Sequence, residues 1–278
     1  YSTTPVALRA APTGRAHYGV EICPATRDGE DLILANCRER WEAFADLGLD
    51  WIWLWPYDQG GCGCARCRPW GVNGMLRLGE KIARLSLKMF PGAQIVYSTW
   101  LFDYGHDQGE WEGLAKAFAR PPDWVHYLLA DSHEEYPAWP LKHGAPGGLP
   151  LLNFPEISMW MMHPWGGFGA NPLPHRLHRL WTVVQERVAG GFPYSEGIYE
   201  DLNKAICFQH YWGDVDSLAT TREYLASEFS VADADELAAV VAEMESEMDH
   251  STADLGAADG LRDRLFPADP AVPPPTTS

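Results

Sequence analysis

No run of about 18 or more apolar residues occurs in the 278-residue chain, so nothing in it reads as a membrane-spanning helix. The first residues also lack the basic-then-apolar pattern of a secretory leader. Since the chain opens on Tyr1 rather than Met, an upstream segment is expected. Positive charge is scarce: 21 Lys and Arg face 38 Asp and Glu, a net charge of −17. That balance repels phosphate backbones and anionic lipid, which excludes nucleic acid and the membrane surface as natural partners. Cysteine is too thin for a disulfide scaffold, with 6 in the whole chain. There is no internal sequence repeat.

What is present is apolar and aromatic. With 46% hydrophobic residues and 13 Trp, the chain can bury a substantial core and suits one large domain with appendages. Its organising stretch is residues 50–74, DWIWLWPYDQGGCGCARCRPWGVNG. Residues 51–56 form a short unbroken apolar run, the pattern of a strand buried on both faces of a parallel sheet. The run ends in Tyr57-Asp58, followed by Gly60-Gly61 and by Cys62, Cys64 and Cys67 in C-x-C-x-x-C spacing. Helical spacing then resumes at Met75, Leu78, Ile82, Leu85 and Met89, and Pro91-Gly92 stops it.

Along the rest of the chain, residues 1–16 read as an extended lead-in and 18–23 as a strand holding Glu21 and Cys23. A helix is predicted over 31–47, with Ile33, Cys37, Trp41 and Phe44 on one face. Further strands are predicted at 94–100, 124–130, 149–154 and 193–201, interleaved with helices over 111–118, from about 177 to 188, and from about 202. From 217 the chain is helical without intervening strands, over 217–229 and 233–250. The tail from about 253, with Pro267, Pro270 and Pro273 to Pro275, reads as poorly ordered. The expected division is therefore a barrel-type domain over 1–212, a helical extension over 213–252 and a Pro-rich tail over 253–278.

Alternating strands and helices imply parallel strands with right-handed crossovers. Each predicted strand carries an acid at or near its C-terminal end: Glu21, Asp58, Asp103, Asp131, Glu156 and Glu196. In an α/β (β/α)8 TIM-type barrel those ends surround one mouth where the chemistry takes place. An ordinary helix-capping role explains any single acid better; the set, interleaved with Trp and Tyr, favours a site. Only six strands are read where a barrel needs eight. If 193–201 is the eighth, the first two are missing from this chain and precede Tyr1. The alternatives are an open doubly wound sheet or a cylinder completed by another copy.

The segments WPYDQGGCGCARCRPWG, FPEISMWMMHPWGGFGANPLP and PYSEGIYEDLNKAICFQHYWGDVDSLATTREYLASEF carry a resemblance. Over roughly 18–250 the chain resembles an uncharacterised bacterial group of glycoside-hydrolase-like TIM barrels. That group is similar to the wider set holding the β-N-acetylhexosaminidases and α-glucuronidases, in which helices opening on an aromatic-rich stretch, here His210-Tyr211-Trp212, follow the barrel. The resemblance implies a glycosidase-type barrel. The hexosaminidases place an adjacent acidic pair after the fourth strand. Here Gln59 follows Asp58, so their N-acetyl-assisted mechanism is not implied.

Glycoside hydrolysis needs two carboxyl groups, one protonated and one ionised. Asp58 is the candidate acid, because apolar walls such as Trp55 and Tyr57 would keep it protonated. Glu156, at the end of what would be strand seven, is the candidate base or nucleophile, with Glu196 and Asp131 in reserve. Sugar rings pack C–H faces on aromatic side chains and direct hydroxyls to polar groups. Tyr57, Trp100, Trp160 and Trp165, with Asp103 and His133, are the candidate substrate contacts. Trp41, Trp111 and Trp181 stand at helical spacing and read as core, and His126, inside a strand, as a packed, satisfied histidine.

Cys62, Cys64 and Cys67 offer three thiolates, and Cys23 is the best fourth ligand for a structural zinc site, ahead of Cys37. Catalysis itself calls for no cofactor. Free thiols, or a Cys62 to Cys67 disulfide, are the alternatives. Reduced or metal-bound cysteines would suit a cytoplasmic setting. Two function classes remain: a hydrolase of glycosidic bonds, and a catalytically silent carbohydrate-binding barrel or fragment of a larger enzyme.

Overall fold

The computed structural model describes residues 5–13, 21–56, 60–100, 102–103, 109–132, 135–158, 172–195, 200–213, 215–229 and 233–248. The strands are β1 (Trp51–Leu54), β2 (Gln94–Ser98), β3 (Tyr127–Ser132), β4 (Leu151–Ser158), β5 (Gly190–Gly191) and β6 (Tyr194–Ser195). The helices are α1 (Arg27–Glu42), α2 (Arg77–Met89), α3 (Glu110–Ala117), α4 (Ala138–His143), α5 (Pro174–Val184), α6 (Asp201–Trp212), α7 (Ser217–Phe229) and α8 (Ala234–Met248). A wide helical turn, Gly71–Leu76, leads into α2. The strands run parallel in the order β1-β2-β3-β4-β5, and β6 pairs with the end of β4. No helix among the described residues is long and apolar enough to cross a membrane. The chain divides into two compact units, Tyr1–Pro155 with Val183–Phe192, and Glu156–Thr182 with Pro193–Ser278.

In the first unit the register sorts the strand residues onto two faces, because paired positions in a parallel sheet point the same way. Trp53 pairs with Val96, Val96 with Tyr127, Leu129 with Leu152 and Asp131 with Phe154. The opposite face carries Ile52, Leu54, Ile95, Tyr97, Leu128 and Leu151, all buried. Helices cover it. Gly79 of α2 comes so close that an added Cβ would lie 3.1 Å from Leu54 and 3.2 Å from Trp124. The Tyr97 ring meets Phe118, just past α3, at 5.9 Å, and its hydroxyl donates to the Gly71 carbonyl.

The first face is aromatic, and its contacts require curvature. β1 and β4 are three strand spacings apart, about 14 Å in a flat sheet. Yet the ring centroids of Trp53 and Phe154 are 5.3 Å apart, and Trp53 reaches Phe192, just past β5, at 5.1 Å. Trp51 likewise meets Tyr127 of β3 at 4.9 Å. The sheet must therefore curl around these side chains. A curled parallel sheet with helices on its outer side is consistent with a TIM-like α/β fold.

Three expectations change. The run 51–56 is not buried on both faces: Ile52 and Leu54 are 6% and 5% exposed, but Trp51 and Trp53 are 46% and 37% exposed. β1 ends the described sheet, so neighbouring strands cover its aromatic face from one side only. Of the strand expected at 18–23, residues 18–20 lie outside the described residues. Ile22 forms an antiparallel bridge with Arg9, Ala10 donates to the Glu21 carbonyl and Cys23 donates to that of Leu8. The lead-in is thus partly paired, and the described part of that strand meets it rather than the sheet. Of the strand expected at 193–201, residues 196–199 lie outside the described residues; Tyr194–Ser195 pairs with β4, and Gly190–Gly191, ahead of the expected start, pairs with it separately. Two glycines carry no side chain that could show a period of two.

In the second unit the end of β4 pairs with β6, Glu156 with Tyr194 and Ser158 with Ser195. Ile157, Leu177, Ile206 and Cys207 form one apolar cluster, and Leu225, Ala238 and Val241 form another. Leu202 packs against both, which joins α6 to the α7–α8 pair. Asn203 ties two loops, donating to the Ile157 carbonyl at 2.9 Å and accepting from Leu173 N–H at 3.0 Å. Glu245 of α8 accepts the His175 and Arg176 N–H groups, both at 2.7 Å, at the first turn of α5.

The same device holds the first unit. Glu110, 1% exposed at the start of α3, accepts Trp70 N–H at 2.8 Å and Gly71 N–H at 2.7 Å. These are the orphan donors at the start of the turn that feeds α2, and a buried carboxylate satisfies them and complements the helix dipole. Replacing Glu110 by Ala strands both donors in the interior. The expected outcome is a loss of about 3 kcal/mol in urea unfolding, with a smaller loss for Glu110→Gln, which keeps one acceptor.

Candidate functional site

Six of the predicted site residues, Tyr57, Asp58, His133, Trp160, Trp165 and Glu196, lie outside the described residues. The others are placed, each in its own unit. Asp131 lies near the C-terminal end of β3, 4% exposed and paired in register with Phe154. Phe154 is packed by Trp55 at 5.1 Å and Trp100 at 5.9 Å, and those two rings lie 4.6 Å apart. Trp55 follows β1 and Trp100 follows β2. The C-terminal ends of β1, β2, β3 and β4 in the first unit therefore combine an aromatic platform with one buried carboxylate. Burial and the charge of Asp131 both push the Tyr136 hydroxyl well above the usual phenol range, which keeps it a donor at neutral pH.

Asp103 belongs to the same end of the sheet but is exposed, and both of its oxygens lie 3.1 Å from Trp111 Nε1. Trp111 is buried as expected and stacks on Trp139, the ring centroids 5.7 Å apart and the planes within 5°. Asp103 thus anchors a core tryptophan as well as standing at the strand end. His126 is the packed histidine the sequence suggests, its Nδ1 accepting Ile95 N–H at 2.9 Å.

Glu156 belongs to the second unit. It is 1% exposed, and its carbonyl accepts from Arg176 Nη1 at 2.8 Å. Glu200, at the start of α6, is also 1% exposed and pairs with Lys204 at 3.9 Å. Its burial was not legible, because an acid ahead of a helix reads as an ordinary cap. The structure thus brings Asp131 together with Trp55, Trp100 and Phe154, and it buries Glu156 and Glu200 in the other unit.

The expected thiol cluster does assemble. The Sγ atoms of Cys23, Cys62, Cys64 and Cys67 all lie within 4.8 Å of one another, while Cys37 stands elsewhere on α1. A hydrogen bond from the Cys67 thiol pulls Cys62 down to about 5 against the effect of burial. Cys67 is pushed up in return and holds its proton. Cys207 is plain core, its thiol pushed up to about 12 by burial. A groove of about 370 Å³ follows β1, lined by Ile33, Trp41, Trp51, Trp53, Trp55 and Met75, with Glu21 as its acid among the described residues.

No family model and no curated protein matches the chain. Solved structures do. One is described as a novel family GH115 4-O-methyl-alpha-glucuronidase, BtGH115A, with specificity for decorated arabinogalactans. It superposes with a TM-score of 0.55 at 13% identity over 84% of this chain and 31% of that one. Another is CpGH89 from Clostridium perfringens in complex with its substrate GlcNAc-alpha-1,4-galactose, with a TM-score of 0.50 at 16% identity over 87% and 25%. The chain therefore shares a distant glycoside-hydrolase-like fold, and it spans less than a third of the length of either structure.

The contact between Asp103 and Trp111 separates anchoring from sugar contact. Asp103→Asn keeps an acceptor and is expected to change unfolding stability by under about 0.5 kcal/mol, whereas Asp103→Ala costs about 1 kcal/mol. Thermal and urea unfolding of the two variants measure this difference.

Proposed function

We propose that the chain is the barrel part of a glycoside hydrolase that cleaves its carbohydrate through carboxylates at the C-terminal ends of the parallel strands. The observation that supports this best is the buried Asp131 beside the platform of Trp55, Trp100 and Phe154. An aromatic surface suits the C–H face of a sugar ring, and a water-poor carboxyl next to it suits proton transfer or stabilisation of an oxocarbenium ion. The shared fold with two glycoside hydrolases supports the same reading.

In this reading Asp58, carried by the loop after β1, protonates the leaving oxygen, and Glu156 is the nucleophile or base. Asp131 and Glu196 are the reserve carboxyl groups for these two roles. Trp100, Tyr57, Trp160 and Trp165 hold the sugar faces, and Asp103 and His133 meet hydroxyls. A TIM-type barrel with eight strands would need two more than the six found among the described residues. The fold neighbours suggest where to begin among substrates, with uronic acid and N-acetylglucosamine α-glycosides.

The test is a panel of aryl glycosides that includes α-glucuronides and α-N-acetylglucosaminides. Turnover is expected, with kcat/KM reduced by roughly 10²- to 10⁴-fold in Asp58→Asn and in Glu156→Gln. Saturable sugar binding without turnover would instead identify a silent carbohydrate-binding barrel. Turnover undiminished in both variants would remove the proposed pair.

A further inference from the structure

The four clustered thiols belong to none of the carbohydrate-binding machinery, and three separate chain segments are arranged to bring them together. Residues 8–11 pair with 21–23, which positions Cys23 ahead of α1. Residues 60–68 fold against the same lead-in: Gly63 N–H donates to the Ala11 carbonyl at 2.9 Å, and Ala11 N–H donates to Cys62 Sγ at 3.3 Å. Two glycines permit the approach. A Cβ on Gly63 would stand 2.0 Å from the Pro12 carbonyl oxygen, and one on Gly61, at φ +92°, would stand 2.1 Å from the Trp70 ring. The turn between Cys64 and Cys67 is closed by Cys67 N–H on the Cys64 carbonyl at 2.9 Å.

The sulfur spacing fits a single ion. Tetrahedral zinc with Zn–S bonds of about 2.3 Å sets its four sulfurs about 3.8 Å apart. Cys23 and Cys64 Sγ are 3.8 Å apart, and no pair in the cluster exceeds 4.8 Å. A disulfide would instead bring two sulfurs to about 2.05 Å. An iron–sulfur cluster interposes inorganic sulfide and holds its cysteines further apart than one ion does. Cys62 and Cys67 are 0% exposed, Cys23 is 7% exposed and Cys64 is half-buried, so an ion there would be largely closed off from solvent, as structural zinc sites are. The Ala11 N–H aimed at Cys62 Sγ supplies the outer hydrogen bond that stabilises a ligating thiolate.

We propose that Cys23, Cys62, Cys64 and Cys67 are the four ligands of one structural zinc ion. Each ligand binds as thiolate, and the protons still held by the thiols pass to solvent on binding, so zinc is released as pH falls. The ion ties the loop after β1 to the lead-in and to the start of α1. Cys62 follows Asp58 by four positions, so the tie fixes the base of the loop that carries the proposed acid without taking part in the chemistry.

The test is metal analysis of the purified chain after dialysis into metal-free buffer, and it needs no hydrolytic activity. About one zinc per chain is expected. Zinc should fall several-fold in Cys62→Ser and Cys67→Ser and remain in Cys207→Ser. Should the cluster variants fail to fold, cobalt(II) exchanged into the unaltered chain decides: tetrahedral thiolate charge-transfer bands are expected. A folded, metal-free chain whose cluster thiols all react with Ellman's reagent would overturn the proposal. So would a disulfide within the cluster detected by mass, stoichiometric iron, or a cobalt spectrum without thiolate bands.

Discussion

The packing of Trp51, Trp53 and Trp55 across the inner face of the sheet, onto Tyr127, Phe154 and Phe192, is the constraint from which the rest follows. Three large rings at alternate positions of one strand cannot be covered by adjacent strands alone. They reach rings on β3, on β4 and just past β5, and those contacts close only if the sheet bends. Burial of aromatic area is worth about 25 cal/mol for each Å² removed from water, which favours the curl alongside strand twist. The outer face, with Ile52, Leu54, Ile95 and Leu128, is flattened against helices in the usual way.

Curvature has a consequence for chemistry. Parallel strands that bend round one axis bring their C-terminal ends toward each other, and here those ends carry Trp55, Trp100, Asp131 and Phe154. The chain shares a distant fold with a GH115 and a GH89 glycoside hydrolase. Glu110 and Glu245 are consumed by backbone N–H groups at helix starts. Asp131 is buried near the end of β3, paired in register with Phe154.

Much of this was legible in the residues. The apolar runs at 51–56, 94–100 and 124–130 each correspond to a parallel strand, because β-branched and aromatic residues between turn signals have few other solutions. The C-x-C-x-x-C spacing and the nearby Cys23 foretold the thiol cluster, since short spacing limits where sulfurs can go. Burial was harder to read. Trp51 and Trp53 read as fully buried because hydrophobicity does not show which strand ends the sheet. Nothing in the sequence marked Glu110 and Glu245 as buried, because the donors they satisfy are 39 or more residues away in the chain. Gly190–Gly191 pairs through backbone alone and leaves no pattern to detect. Asp58, the centre of the mechanistic reading, lies outside the described residues, so its role rests on its place in the sequence.

The central claim is that the aromatic platform and Asp131 together receive a sugar ring. The most direct measurement is a crystal structure of the chain with a monosaccharide iminosugar, whose protonated ring nitrogen imitates the charge of the transition state. The account predicts a ring stacked on Trp100 or Trp55 with its nitrogen in hydrogen-bond reach of the Asp131 carboxylate. An iminosugar seated away from Trp55, Trp100 and Asp131, or a platform that stays vacant at saturating ligand, would contradict it.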